Sequence, residues 1–202
     1  MEIIPDELRG RLGMINKKLS VIAALLFGFS GSANAILFNG HDYIAIDAEG
    51  ISWDDAKAAA LPGYHLATIS SVAENDFIRD LINLLNGEEY WLGGSQPAGS
   101  ATGDDWSWEN GEGLFWDLNA AVVGAYENWN PFPEPSGDGN HLAMWADDNR
   151  FGFTAGTWND EGAVSVDGYL DGYVLESVPE PGTIALFGLG LAGLGFARRK
   201  KA

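Results

Sequence analysis

The chain contains no cysteine. Disulfides, thiol nucleophiles and thiolate zinc sites are therefore all excluded. Basic residues are almost as scarce over most of its length. Of 11 Lys and Arg, four lie at or before Lys18 and four at or after Arg198. Between residues 36 and 181 only Lys57, Arg79 and Arg150 stand against 26 Asp and Glu, a formal charge of −23. So acidic a segment repels nucleic acid and anionic lipid, favours cations such as calcium, and keeps an exported protein soluble. Catalytic signatures are missing too. There is no Gly-x-Ser-x-Gly, no His-Glu-x-x-His and no phosphate-cradling loop. His41, His65 and His141 are scattered. Among 26 carboxylates some pair will fall at glycosidase spacing by chance, so acidity alone does not argue for catalysis. The expectation is a protein that binds and does not catalyse.

Both ends read as targeting segments. Lys17-Lys18 precede an apolar run from Leu19 to Phe29, and small residues at Ala33 and Ala35 follow. That order is a secretory signal peptide, with the cut expected after Ala35. Glu2, Asp6 and Glu7 fit such a segment poorly, so Met14 is the expected true start. At the other end Val178-Pro179-Glu180-Pro181 leads into an apolar run of 16 residues, 182–197, and then Arg198-Arg199-Lys200-Lys201. The run is shorter than the roughly 20 residues an untilted membrane helix needs, and its basic tail favours the cytoplasmic side. Pro-Glu-Pro, an apolar segment and a basic terminus resemble the PEP-CTERM sorting signal of Gram-negative bacteria. The resemblance implies recognition and cleavage near Pro179-Glu180 by an exosortase, with only transient residence of 182–197 in the membrane. It also implies release or anchoring outside the inner membrane, often beside exopolysaccharide production.

Residues 36–177 remain, enough for one domain with its own core. Tyr43, Ile44 and Ile46 suit a strand. Ser52-Trp53-Asp54-Asp55 and Ser71-Val72-Ala73-Glu74 are capping-box starts of two helices. The first helix covers Ala56 to Ala60 and stops at Pro62-Gly63. The second places Phe77, Ile78, Leu81, Ile82 and Leu85 on one face and stops at Asn86-Gly87. His65–Ile69, Tyr90-Trp91-Leu92, Trp106-Ser107-Trp108, Leu142–Trp145 and Gly172–Glu176 read as strands. Between them run long loops rich in Gly, Asn and Asp. Two helices followed by scattered strands give an α+β fold.

Several of these segments also match one family in order. Ser52-Trp53-Asp54-Asp55-Ala56, His65-Leu66-Ala67-Thr68-Ile69 and Glu74-Asn75-Asp76-Phe77-Ile78 resemble the first half of a C-type lectin-like domain. Trp91-Leu92-Gly93-Gly94 is similar to its core Trp-Ile-Gly motif. Trp106-Ser107-Trp108, Asn128-Trp129-Asn130, Glu134-Pro135, Trp158-Asn159-Asp160 and Val174-Leu175-Glu176 resemble the second half. The resemblance covers residues 37–176. It implies two helices with small antiparallel sheets and a long loop region. Family members usually carry two disulfides, so here the core must hold the fold, and the eight Trp are its expected source.

Trp158-Asn159-Asp160 and Glu134-Pro135 offer oxygen donors of mixed charge, which suit calcium. The resemblance implies a calcium site formed where two loops converge, with Glu134, Asn159 and Asp160 as ligands and Ser136, Asp138 and Asn140 as helpers. Glu134, Asn159 and Asp160 would also hydrogen-bond the hydroxyls of a sugar or exopolysaccharide held by the metal. Two departures weaken the set. Sugar-binding members usually have Glu-Pro-Asn or Gln-Pro-Asp where Glu134-Pro135-Ser136 stands here. The carboxylate expected just before Leu142 is also missing, since Gly139, Asn140 and His141 occupy that stretch. Without a metal, the triplet would be a structural turn with Trp158 in the core, and the protein a matrix or adhesion protein that binds another protein. Asp147-Asp148-Asn149 lacks the spacing of an EF-hand loop and reads as a solvated turn. Trp129 and Trp145 read as core residues rather than sugar-stacking platforms. The exported protein is expected to begin at Ile36; N-terminal sequencing that returns any other first residue overturns that cut.

Overall fold

The computed structural model describes residues 35–179, apart from 86, 132, 148–151 and 164–168. The expected signal segment, the apolar run 182–197 with its basic tail, and Asp148-Asn149 lie outside the described residues. Among the described residues there are ten strands and two helices, both helices in the first half of the chain. Strands β1 (Ile36–Phe38) and β2 (His41–Asp47) open it. Helix α1 (Trp53–Ala58), β3 (Tyr64–Leu66) and helix α2 (Val72–Ile82) follow. Then come β4 (Glu89–Ser95), β5 (Trp106–Trp108), β6 (Gly113–Asp117) and β7 (Ala120–Ala121). The last are β8 (His141–Trp145), β9 (Trp158–Glu161) and β10 (Leu170–Ser177).

Local chemistry starts both helices where the sequence places them. Ser52 Oγ accepts the Asp55 N–H at 3.1 Å, and Ser71 Oγ accepts the Glu74 N–H at 3.3 Å. The second box is shifted by one residue on its return arm. Glu74 accepts from the Ser70 N–H at 2.7 Å and the Ser70 hydroxyl at 2.8 Å, while its other oxygen accepts from the Tyr43 hydroxyl at 2.5 Å. One buried carboxylate therefore caps α2 and ties it to β2. Both helices end earlier than the residue pattern suggests, α1 at Ala58 and α2 at Ile82.

The sheet runs β1-β2-β10-β4-β5-β6-β7, with β3 on β10 and β8 joining β4 to β9. All pairs are antiparallel except β4 with β10. A parallel pair needs a long crossover, and the whole loop region lies between these two strands. Because β10 pairs with β2, the end of the domain closes against its beginning. Both faces of the central strands are covered, which explains why β4 is buried at every position rather than at alternate ones. Ile78, Leu81 and Ile82 of α2 pack on Tyr90, Leu92, Leu142, Met144 and Val174. Trp53 and Ala56 of α1 pack on Trp91, Ala143, Tyr173 and Leu175 of the opposite face. Gly93 lies between them because a β-carbon there would meet the Leu66 carbonyl at 2.5 Å.

Aromatic rings fill the second half of the core. Seven of the eight Trp are buried. Trp108 stacks on Phe115 with centroids 4.4 Å apart, and Trp106 meets Trp129 edge-on at 5.0 Å. Trp158 stands edge-on to Phe115, Tyr126, Trp108 and Trp129 at 5.6–5.9 Å. Trp129 and Trp145 are core residues, 7% and 2% exposed. The Trp158 indole N–H donates to Asn75 Oδ1 on α2 at 2.8 Å, and Asn75 Nδ2 donates to the Gly156 carbonyl at 3.0 Å. Trp158→Ala should cost about 3–5 kcal/mol in urea denaturation, the range for deleting a buried large aromatic. Trp158→Phe should cost less but still measurably, because it keeps most of the packing and orphans the buried Asn75 oxygen.

Candidate functional site

β9 is a strand and not the loop expected for Trp158-Asn159-Asp160. Polar Asn-Asp gives little strand signal of its own, but β8 pairs along its whole length, with Ala143 opposite Asn159 and Leu142 opposite Asp160. Its other edge is lined by the loop, where the Trp158 N–H donates to the Asn128 carbonyl and the Asn130 N–H to the Trp158 carbonyl. Successive strand side chains point to opposite faces, and this decides the site. Trp158 and Asp160 face the loop side, and Asn159 faces the other with Glu161.

Asp160 is fully buried and gathers the loop. Its Oδ1 accepts from the backbone N–H and the hydroxyl of Ser136, and its Oδ2 from the Gly137 N–H at 2.9 Å and the Gly139 N–H at 3.3 Å. Glu134 also accepts the Ser136 N–H, at 2.9 Å, and its peptide bond to Pro135 is cis. Burial, then the adjacent Asp160 carboxylate, pushes the Glu134 carboxyl up to about 9. Asn159 Nδ2 donates to Glu89 Oε1 at 3.1 Å and to Glu161 Oε1 at 3.0 Å. Burial, then the charge of Glu161, holds Glu89 well above the usual carboxylate range.

Of the six expected ligands, Glu134, Ser136 and Asp160 touch one another. Asn159 lies on the opposite face of β9 and bonds side chains rather than backbone. Asp138 is exposed in the loop, where its charge acts on Glu89. Asn140 is fixed through its backbone, donating to the Glu161 carbonyl and accepting from the Gln96 N–H, both at 3.0 Å. Gly139 explains the missing carboxylate: a β-carbon there would collide with the backbone of Glu161 and Gly162. Glu89 and Glu161, which Asn159 bridges, are not among the expected site residues. Glu89 reads in sequence as the polar start of a buried strand, and no local pattern marks it. Lys57 pairs with Glu109, and Arg79 with Asp76 and Asp80.

The family model for the Lectin C-type domain matches residues 49–170. The chain belongs to the C-type lectin domain family. A second model, the PEP-CTERM protein-sorting motif, matches residues 177–201 and marks the protein as exported. No curated protein sequence matches the chain. Solved structures of similar fold include ovocleidin-17, a major protein of the Gallus gallus eggshell calcified layer, with TM-score 0.53 and 19% identity over 74% of this chain and 99% of that one. The carbohydrate-recognition domain of cow CD23, crystallised with a GlcNAc2Man3 oligosaccharide, gives 0.53 and 22% over 76% and 98%. A calcium-independent type II antifreeze protein gives 0.50 and 21% over 75% and 96%. At these identities the likeness is one of fold. Proteins with a C-type lectin domain are in general non-catalytic binding proteins. Among the described residues no helix is long and apolar enough to cross a membrane.

Members of this lectin family often hold calcium, so the residues need testing against it. Among the described residues, no three Asp, Glu or His side chains stand close enough to hold a metal unaided. The donor chemistry fits all the same: carboxylate, carboxamide, hydroxyl and backbone oxygens suit a hard ion. Two negative groups, Glu134 against Asp160 and Glu89 against Glu161, are placed where a cation would relieve them. Glu134 and Asp160, which meet on the loop side of β9, are the residues that would hold it there. In the calcium-free protein the raised Glu134 carboxyl binds its proton more tightly folded than unfolded. Its stabilisation is then full below the ordinary carboxylate range and is lost as pH rises toward about 9. Melting in EDTA should therefore weaken from about pH 5 to about pH 8, and Glu134→Gln should remove part of that decline.

Proposed function

We propose that this exported C-type lectin-domain protein binds carbohydrate, in the setting of a cell-surface or extracellular exopolysaccharide, through a calcium ion at the 134–140 loop and β9. The observation that carries the reading is the contact of Glu134 with Asp160, two carboxylates drawn together one residue from the Asn159 carboxamide. Like charges at contact are costly unless a proton or a cation joins them, and a hard divalent ion is the natural joiner for oxygen donors. Calcium bound there would present free coordination positions to paired sugar hydroxyls. Glu134, Asn159 and Asp160 would accept or donate hydrogen bonds to those hydroxyls. Ser136, Asp138 and Asn140 would shape the loop around the ion. The role is binding and not catalysis. Before it reaches its final location, the protein passes to an exosortase that cuts near Pro179-Glu180, after transient membrane residence of 182–197.

One observation favours a second reading, a matrix or adhesion protein that uses the same surface without calcium. The loop amides of Ser136, Gly137 and Gly139 already satisfy Asp160, so the loop has an internal organiser of its own.

Thermal melting separates the two readings. With millimolar calcium the melting temperature should rise over its value in EDTA, because an ion that binds only the folded state stabilises it by mass action. Asn159→Ala with Asp160→Ala should abolish the rise, and EDTA should abolish retention on polysaccharide. Binding that persists undiminished in EDTA supports the metal-free reading and ends the first.

A further inference from the structure

Strand β10 brings the chain to the edge of the domain with no slack. Its last residues are paired on both sides. Glu176 lies opposite Tyr43 of β2 and His65 of β3, and Ser177 lies opposite Tyr64. Ser177 Oγ also accepts the Asp42 N–H at 2.8 Å, and the Val178 N–H donates to the Gly63 carbonyl at 2.8 Å. The apolar run begins at Gly182, four residues beyond this fixed point. Four residues span at most about 14 Å, whatever their conformation. The same end of the domain carries apolar side chains in the open. On the β1 edge, Ile36 lies opposite Tyr43 and Leu37 opposite Asp42. In the turn before β3, the Leu61 carbonyl accepts the Tyr64 N–H. Ile36, Leu37, Leu61 and Val178 are four of the nine large apolar side chains left exposed among the described residues, Leu37 at 69% and Val178 at 52%. Single exposed apolar residues mean little, but a group of them around one chain exit marks a contact surface.

We propose that this end of the domain, formed by β1, the Leu61 turn and the end of β10, rests on the surface of a neutral phospholipid bilayer while 182–197 is in the membrane. The inference rests on the membrane residence read above from the sorting motif. The hydrocarbon core is about 30 Å thick, and each headgroup layer adds about 5–7 Å. A tether of about 14 Å therefore keeps Val178 within or just above the headgroups. A run of 16 residues adds no slack, because as a helix it rises about 24 Å and falls short of the core. Charge selects the lipid. The segment 36–181 carries a formal −23, so anionic headgroups repel it, and a neutral surface is met through the apolar side chains. Four such side chains are a weak anchor beside the run itself, so this face lets go once the tail is cut.

The chain has no cysteine, so one substitution gives one labelling site. Leu37→Cys and Leu61→Cys report on the proposed face. Val123→Cys, fully exposed in the loop after β7, reports on the far edge of the sheet, whose strand order runs from β1 to β7. Each variant is the signal-cleaved chain with its tail intact, labelled with an environment-sensitive fluorophore, and near-UV circular dichroism checks that it is folded. Phosphatidylcholine vesicles should shift the emission at 37 and 61 to the blue and leave that at 123 unchanged. The same variants ending at Pro179 should show no shift, and a shift there overturns the release on cutting. Protein that floats with the vesicles while 37 and 61 stay unshifted overturns the proposal and leaves the membrane residence standing. An equal shift at all three sites overturns it as well, because lipid then meets the whole domain. If one of the two face variants does not fold, the other decides. Protein that does not float with the vesicles overturns the membrane residence and the proposal with it.

Discussion

Everything in the second half of this domain depends on how Trp158 is held. Its ring fills the space among Trp108, Phe115, Tyr126 and Trp129, and its N–H is spent on Asn75 of α2. Asn75 in turn holds the Gly156 carbonyl, which Asn128 Nδ2 also holds at 2.8 Å. One indole thus joins the helix, the long loop and the edge strand without a covalent link. Edge-to-face ring pairs contribute about 0.5–1.5 kcal/mol each beyond their buried area. A chain with no cysteine needs such a node, because no disulfide limits the freedom of its loops in the unfolded state.

Once Trp158 is fixed, the period of two along β9 distributes the remaining chemistry. Asp160 must face the loop and Asn159 the sheet, and neither can be moved without moving the ring. Asp160 then acts mostly on backbone, with the Ser136 hydroxyl as its one side-chain donor. Four donors from Ser136, Gly137 and Gly139 converge on its two oxygens. Ser136, weak as a metal ligand, is well suited to this role, because its hydroxyl adds a second donor to Asp160. Gly139 is required for the same reason, since only a residue without a β-carbon can lie flat on Glu161. The two departures from the family's sugar-binding pattern are therefore features of one loop geometry.

The parts of the fold legible in sequence are those governed by short-range rules. Ser52 and Ser71 announce their helices because a cap is a contact over three residues. Trp106-Ser107-Trp108 announces its strand because alternation is local, and the structure buries both Trp and half-exposes the Ser. The β6–β7 hairpin carries no local signal, because its turn is Leu118-Asn119, both at positive φ, where Asn-Gly is the usual one. β9 looks like a loop in sequence because its strand character comes from β8, at a distance no local pattern reports. At the site, Glu134, Asn159 and Asp160 could be named from the resemblance, but their orientation could not. Glu89 was invisible for a simpler reason: a Glu before Tyr-Trp-Leu is ordinary, and its isolation exists only once β8 and β9 are in place.

Charge sets a last constraint on any partner. The segment 36–181 carries a formal −23, and its described basic side chains, Lys57 and Arg79, are both paired with acids at the surface. Such a surface slows and weakens the approach of anionic chains over distances up to about a Debye length, ~8 Å at physiological salt. A neutral sugar meets no such barrier. An acidic polysaccharide would have to be met through a cation, since no described basic patch offers an alternative contact. Calcium at β9 would then do two things with one charge. It would neutralise the carboxylates that the fold forces together, and it would present the one positive point on a negative face. On the proposed reading, selection between neutral and acidic polysaccharide would turn on ionic strength: salt should help an acidic ligand approach and leave a neutral one nearly unaffected.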